Sequence, residues 1–160
     1  MHHGQVVPGT DMPYINHLGL VAMESMAAIA NGAELESPDL LVLCALLHDI
    51  IEDTNGTYHD IHIEFGIEVA NGVLALSKDK KLPSNEDQMR DSIERIRQEP
   101  KEVWMVKLSD RITNLQPPPK NWSKTKIDAY RTEATLILSE SGDANAYLAE
   151  RLGAKIKDYS

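Results

Sequence analysis

The chain has 160 residues with 25 acidic against 16 basic side chains, a formal net charge of −9, which argues against nonspecific binding to nucleic acid or to an anionic membrane surface. No apolar run approaches the roughly 18 residues of a membrane span, and the N-terminus lacks the basic-then-apolar pattern of a leader. The single cysteine, Cys44, lies in an apolar run and excludes an intramolecular disulfide, so the expectation is one cytoplasmic domain over residues 1–160.

Residues 1–13 are short of apolar periodicity, contain Gly and Pro, and are predicted irregular. From Pro13 the pattern turns helical: Ile15, Leu18, Val21, Ala22 and Ile29 recur at threes and fours as far as Asn31-Gly32, a helix stop. Ser37-Pro38-Asp39 then supplies an N-cap, a proline at the first helical position and an acid in the first turn. The helix it opens begins with eight consecutive apolar residues, Leu40 to Leu47, as a buried central helix would. It is predicted to continue through His48, Asp49, Glu52 and Asp53 to the stop at Thr54-Asn55-Gly56.

Thr57 caps a short helix ending near Phe65-Gly66, and Ile67 to Leu76 forms another with Ile67, Ala70, Val73 and Leu74 inward. Residues 77–85 read as a basic loop carrying Lys78, Lys80 and Lys81. Ser84 caps the following helix, whose apolar stripe is Met89, Ile93 and Ile96. Pro100 opens one that runs through Val103, Val106, Leu108, Asp110 and Asn114 to the breaker Pro117-Pro118-Pro119. Ser123 caps a long helix to about Glu140, and Ala144 to about Lys157 is the last. No segment sustains period-two alternation and no repeat is present, so the fold class is all-α.

In one continuous helix His48 would stack above Glu52 and Asp49 above Asp53. Four ionisable groups at the end of a core helix are costly unless compensated, and a divalent metal ion compensates them economically. His17 and Asp110, both at helix ends, could complete a site. Two imidazoles and two carboxylates form a mixed N/O set that suits Mn²⁺, Fe²⁺, Co²⁺ or Zn²⁺ better than Ca²⁺. Four protein ligands on an octahedral ion would leave positions for water and substrate. Glu52 and Asp53 would then orient or deprotonate the attacking water. His59 and His62 read as solvated surface, and Trp104 and Trp122 as packing residues.

The segments Tyr14-Ile15-Asn16-His17, His48-Asp49-Ile50-Ile51-Glu52-Asp53-Thr54, Phe65-Gly66 and Lys107 to Leu115 (KLSDRITNL) occur in the order and spacing of the HD-domain hydrolases. More narrowly, the chain resembles the hydrolase domain of RelA/SpoT enzymes and the small alarmone hydrolases, over roughly residues 3–140. The resemblance implies a single HD-domain helical bundle binding one divalent ion, usually Mn²⁺, through His17, His48, Asp49 and Asp110. It implies that Glu52 and Asp53 act on the attacking water and that Asn114 touches the substrate's ribose or phosphate. Lys80 and Lys81, in the loop Ser77 to Pro83, and Lys126 and Tyr130, on the helix after Trp122-Ser123, would face the phosphates.

The reaction implied is removal of the 3′-pyrophosphate from (p)ppGpp, giving GDP or GTP and pyrophosphate. The partner is then a nucleotide, with no nucleic acid and no membrane. The chain differs from that family in starting inside the first helix. Val6-Val7 stands where the family carries a basic residue beside the guanine, and Ser84 where metazoan relatives carry a lysine. Two alternatives follow: an HD phosphohydrolase acting on a ppApp-type alarmone, NADPH or a dNTP, or a non-catalytic nucleotide-binding domain. A shortened first helix is also expected to bare an apolar patch that a homo-oligomer would cover.

Overall fold

The computed structural model describes residues 2–7 and 10–160; of the segment predicted irregular, Met1, Pro8 and Gly9 lie outside the described residues. The fold is all-α, with helices α1 (Tyr14–Ala30), α2 (Pro38–Leu47), α3 (Ile50–Asp53), α4 (Tyr58–Phe65), α5 (Ile67–Leu76), α6 (Asn85–Ile96), α7 (Lys101–Asn114), α8 (Lys124–Ser141) and α9 (Ala146–Asp158). Among the described residues the one β feature is an isolated bridge between Val6 and Pro13. It folds the N-terminal arm back onto the start of α1, where the Tyr14 N–H donates to the Gln5 carbonyl at 2.9 Å.

α7 is the hub. It packs against α1 and α2 on one side and against α8 and α9 on another, while α5 lies across α2. The core where these meet is built from Leu41, Cys44 and Ala45 of α2 and Val103, Val106 and Leu108 of α7, all fully buried. The run 40–47 is not buried all round as its composition predicts: Leu40, Leu41, Cys44 and Ala45 are buried, while Leu46 is 38% exposed because no helix among the described residues covers that side of α2.

Local chemistry sets the ends. Ser37 accepts from the Leu40 N–H with Pro38 at the first helical position. Thr57 and Asp60 close a capping box on α4. Ser84 accepts from the Asp87 N–H at the start of α6. Gly66 joins α4 to α5 with φ 90°, a conformation that glycine adopts without a Cβ penalty. No helix is long and apolar enough to cross a membrane among the described residues.

The structure corrects the sequence reading in four further places. The central helix is not continuous: α2 ends at Leu47, Asp49 takes φ −101° and ψ 2°, and α3 restarts at Ile50. The break has a local cause, because the His48 ring is drawn back to the Ala45 carbonyl and the Asp49 carboxylate is held by Tyr14 of α1. On α5, Ile67 and Leu74 are exposed, and Val69, Gly72 and Leu76 share the inner face with Ala70 and Val73. Ile15 likewise points outward from α1, 61% exposed. Finally, α9 begins at Ala146 under an Asn145 cap, after a 3₁₀ turn at Gly142–Ala144.

Candidate metal centre and cleft

Three helices converge on one point. His17 comes from the first turn of α1, His48 and Asp49 from the break after α2, and Asp110 from the last turns of α7. Both histidines are buried, at 4% exposure each. His17 Nε2 lies 3.3 Å from Asp110 Oδ1 and 4.0 Å from Asp49 Oδ2; His48 Nε2 lies 3.0 Å from Asp49 Oδ2 and 3.6 Å from Asp110 Oδ1. Donor atoms bonded at about 2.0–2.2 Å to a common ion stand roughly 3–4 Å from one another, and each histidine nitrogen lies in that range from both carboxylates. The ligand atoms of His17, His48 and Asp110 all fall within 4.8 Å of one another.

The second observation is an orphaned nitrogen. His48 Nδ1 sits 2.8 Å from the Ala45 carbonyl oxygen, which can only accept, so Nδ1 carries a proton. His48 Nε2 is near two carboxylates without hydrogen-bond geometry to either, and it is buried with no hydrogen-bond partner. A ring anchored through one nitrogen and presenting the other, unused, to two carboxylates and a second imidazole is the construction of a metal ligand. The residues present therefore fit a divalent ion.

The electrostatics are tightly coupled. Burial works to lower the pKa of His48, but the charges of Asp49 and Asp110 beside it prevail and raise it to about 10. Burial would raise Asp110, yet the two histidines against it hold it well below the usual carboxylate range. Asp49 is also lowered: His48 outweighs its burial, and Tyr14 donates to its Oδ2. Tyr14 itself is pushed up by burial and by the Asp49 charge, so its hydroxyl remains a donor.

A cleft of about 190 Å³ opens beside the metal site. That is below the ~300–1,000 Å³ of a site enclosing a whole small molecule, so it accommodates the reacting end of a substrate and leaves the remainder outside. Glu52 and Asp53 line it. Glu52 Oε2 accepts from the Lys78 backbone N–H at 3.0 Å. Lys80 Nζ donates to the Glu52 carbonyl at 2.8 Å and lies 3.3 Å from Asp53 Oδ1. The Asp53 carbonyl accepts from Gln5 Nε2 at 2.9 Å, so the N-terminal arm braces the acidic pair.

The residues expected to meet substrate divide. Tyr130 lines the cleft, and burial raises its pKa to about 12. Asn114 also lines it, but its Nδ2 donates to Asp110 Oδ1 at 2.6 Å and so holds a candidate ligand. Lys80 is committed to the Glu52 carbonyl and Asp53. Lys81 is exposed and outside the cleft lining. Lys126 is exposed too, with Nζ over the Trp122 ring at 4.1 Å. His59 and His62 are exposed on α4, and Trp104 packs with its indole N–H on the Glu99 carbonyl.

Seven lining residues were not site candidates from the sequence: Tyr14, Leu76, Lys78, Met89, Lys107, Arg111 and Glu133. A signal for Lys107 and Arg111 existed, since they flank Asp110 within the motif KLSDRITNL on α7. Nothing in the sequence pairs Glu133 with Arg111 across 22 residues.

A helical bundle that brings a histidine, a His-Asp dipeptide and a distant aspartate to one buried point defines a class of helical metallohydrolases. The chain belongs to the HD domain family, whose profile matches residues 1–155. It is similar to guanosine-3′,5′-bis(diphosphate) 3′-pyrophosphohydrolase MESH1 of Xenopus tropicalis, 32% identical over 152 residues that span 91% of this chain and 80% of that protein. The human MESH1 is 31% identical, with 88% and 77% covered. The bacterial guanosine-3′,5′-bis(diphosphate) 3′-pyrophosphohydrolase of Aquifex aeolicus is 33% identical over 94% of this chain but 20% of its own length. Among solved structures, a metazoan orthologue of SpoT that hydrolyses ppGpp superposes with a TM-score of 0.82 at 26% identity, covering 98% of this chain and 87% of that one.

Proposed function

We propose that this protein is a metal-dependent hydrolase that removes the 3′-diphosphate of (p)ppGpp as pyrophosphate and leaves GDP or GTP. The observation that carries the reading is the orphaned Nε2 of His48, buried between Asp49, Asp110 and His17. The likeness to pyrophosphohydrolases over most of the chain supports the choice of substrate. His17, His48, Asp49 and Asp110 would hold the ion; the mixed nitrogen and oxygen set suits Mn²⁺, Fe²⁺, Co²⁺ or Zn²⁺, and among these the family resemblance favours Mn²⁺. Such an ion, when bound, supplies Lewis-acid stabilisation of phosphoryl oxygens and acidifies water for attack.

The chain's own residues do the rest. Glu52, fixed through Oε2 by the Lys78 N–H, keeps Oε1 to take the proton of the attacking water, with Asp53 beside it. The water oxygen joins the phosphorus next to the ribose as the bond from that phosphorus to the 3′ oxygen breaks, and the proton taken up by Glu52 passes to the 3′ oxygen, which leaves as a hydroxyl. Lys80 fixes the backbone and carboxylate of the acidic pair. Tyr14 and Asn114 orient Asp49 and Asp110. Five carboxylates line the cleft against Lys78, Lys107, Arg111 and a protonated His48, so its net charge is negative and a phosphate anion is disfavoured there until a divalent cation is present.

A second reading keeps this chemistry and changes the base. The N-terminal arm offers Val6, half exposed, with Pro13 and Ile15 around a shallow, largely apolar hollow, a surface that does not by itself favour guanine. Turnover of the Mn²⁺-loaded protein against ppGpp, pppGpp, ppApp, NADPH and dNTPs tests both. The proposal expects the two guanosine alarmones to be used best, and a preference for NADPH or dNTPs would contradict it.

We place this activity in one cytoplasmic domain and propose a homo-oligomer. The outer face of α1 supports association, because Ile15, Leu20, Met23 and Met26 are all exposed along it. Its one charged residue, Glu24, is paired with Arg151. Sedimentation at high micromolar concentration is expected to show a species larger than the monomer; a monomer would contradict this.

A further inference from the structure

The cleft holds a basic residue that the reaction described so far does not use. Arg111 follows Asp110 on α7 and is 4% exposed. Its Nη2 donates to Glu133 of α8, and its guanidinium lies over the Tyr130 ring, 4.4 Å from the centroid. Those contacts fix one corner and one face. Nε and Nη1 are buried and have no hydrogen-bond partner, which leaves at least three of the five N–H bonds of the guanidinium unused.

Buried polar groups are nearly always paired, and an unpaired donor on a charged group is the costliest exception. A residue placed only to tie α7 to α8 would need Nη2 and nothing more. The unused donors belong to a side chain in the wall of the cleft, so the partner they lack is a ligand there. Donors without acceptors call for an anion that can accept two parallel N–H bonds, as a carboxylate or a phosphate does, and of the two the phosphate ester is the one this cleft receives. Lys107 strengthens the assignment. It is buried in the same cleft one turn before Asp110, and among the described residues it makes no ion pair.

We propose that Arg111 anchors the terminal phosphate of the substrate's 3′-diphosphate, the one not attacked, with Glu133 and Tyr130 as positioning residues and Lys107 as a second positive charge. The inference rests on the diphosphate-ester reading above. The attacked phosphate belongs beside the His and Asp set, and a cleft of about 190 Å³ leaves the next phosphate against the remaining cations. Glu133 does not oppose this, because its carboxylate is already satisfied by Arg111 and lies 4.0 Å from Lys78 Nζ.

The probe is inorganic pyrophosphate, measured as an inhibitor of the Mn²⁺-loaded enzyme beside GDP. Arg111→Gln is expected to weaken inhibition by pyrophosphate and raise KM roughly 10- to 100-fold, the worth of lost charge-assisted hydrogen bonds, while inhibition by GDP and metal content stay within about twofold. Arg111→Lys is expected to recover part of the loss, since an ammonium keeps the charge but not the planar donors; it carries the test alone should the Gln variant fail to fold. Glu133→Gln keeps an acceptor for Nη2 and removes a negative charge, so pyrophosphate should inhibit it at least as well as the parent. Unchanged inhibition in both Arg111 variants overturns the anchor. So does a Glu133→Gln variant that loses pyrophosphate as Arg111→Gln does, because the pair is then structural. A parent enzyme inert toward ppGpp that still binds pyrophosphate through Arg111 overturns the substrate reading and leaves the anion site standing.

Discussion

His48 Nδ1 lies 2.8 Å from the carbonyl oxygen of Ala45, three residues earlier in the chain. That bond fixes which proton a metal ion must displace. Nδ1 keeps its hydrogen in every state, so the labile proton is on Nε2.

Proton release on metal binding follows. In the metal-free protein the His48 pKa is raised from 6.5 to about 10. Its contribution to stability is therefore fully present below the ordinary value and is lost as pH rises through about 10. Metal affinity runs the opposite way and strengthens as pH rises over that range. Asp49 and Asp110, both lowered, are already ionised and release nothing. Calorimetric titration with Mn²⁺ near pH 7.5, in buffers of different ionisation enthalpy, should show about one proton released per ion. Heats independent of the buffer would contradict the assignment, as would a full equivalent of metal retained by His48→Ala.

Asn114 distinguishes a positioning role from a substrate contact. Its Nδ2 holds Asp110 Oδ1 at 2.6 Å, and loss of such an outer partner typically costs ~10- to 100-fold in metal affinity. Asn114→Ala should weaken Mn²⁺ binding by about that factor, with KM little changed once metal is saturating. A variant with normal metal affinity and a raised KM would restore the direct substrate contact that its sequence context implied.

Glu52→Gln preserves an acceptor for the Lys78 N–H but removes charge and basicity. If Glu52 takes the proton, kcat should fall by ~10²–10⁴-fold, with metal content and KM nearly constant because the lost interaction belongs to the transition state. Loss of metal would make Glu52 a ligand instead. Full turnover would transfer the role to Asp53.

The packing of the central helices is tested at Gly72. A Cβ there would lie 2.7 Å from Cys44 Sγ and 3.0 Å from Val103 Cγ2, too close for either to remain in place. Gly72→Ala should destabilise by roughly 1–3 kcal/mol, as overpacking of a filled core does. Adding Cys44→Ala should recover part of that loss in denaturant melts. A neutral Gly72→Ala would mean that α5 sits farther from α2 than described.

What the sequence made legible was periodic or capped. The run from Leu40 to Leu47 announced a core helix, buried on the face of Leu41, Cys44 and Ala45 though open at Leu46; Ser37, Thr57 and Ser84 announced starts, and Pro117-Pro118-Pro119 a stop, and these lie where expected. The break at His48 and Asp49 was invisible because its causes are the Ala45 carbonyl and a tyrosine 35 residues away. Which face of α5 turns inward depended on its neighbours, since Ile67 and Leu74 are as apolar as the residues that are buried. In the site, the residue types with an ordered motif were readable: His17, His48 and Asp110 place their ligand atoms within 4.8 Å of one another, with Asp49 beside His48. The cationic side of the cleft was not readable, because Arg111 meets Glu133 only through the packing of α7 on α8.

The most direct test of the central claim is phosphorus NMR of ppGpp hydrolysis by the Mn²⁺-loaded protein in oxygen-labelled water. The account predicts GDP and intact pyrophosphate as first products, with the label on pyrophosphate. Orthophosphate as the first product, label on the nucleoside, or no turnover at all would contradict it.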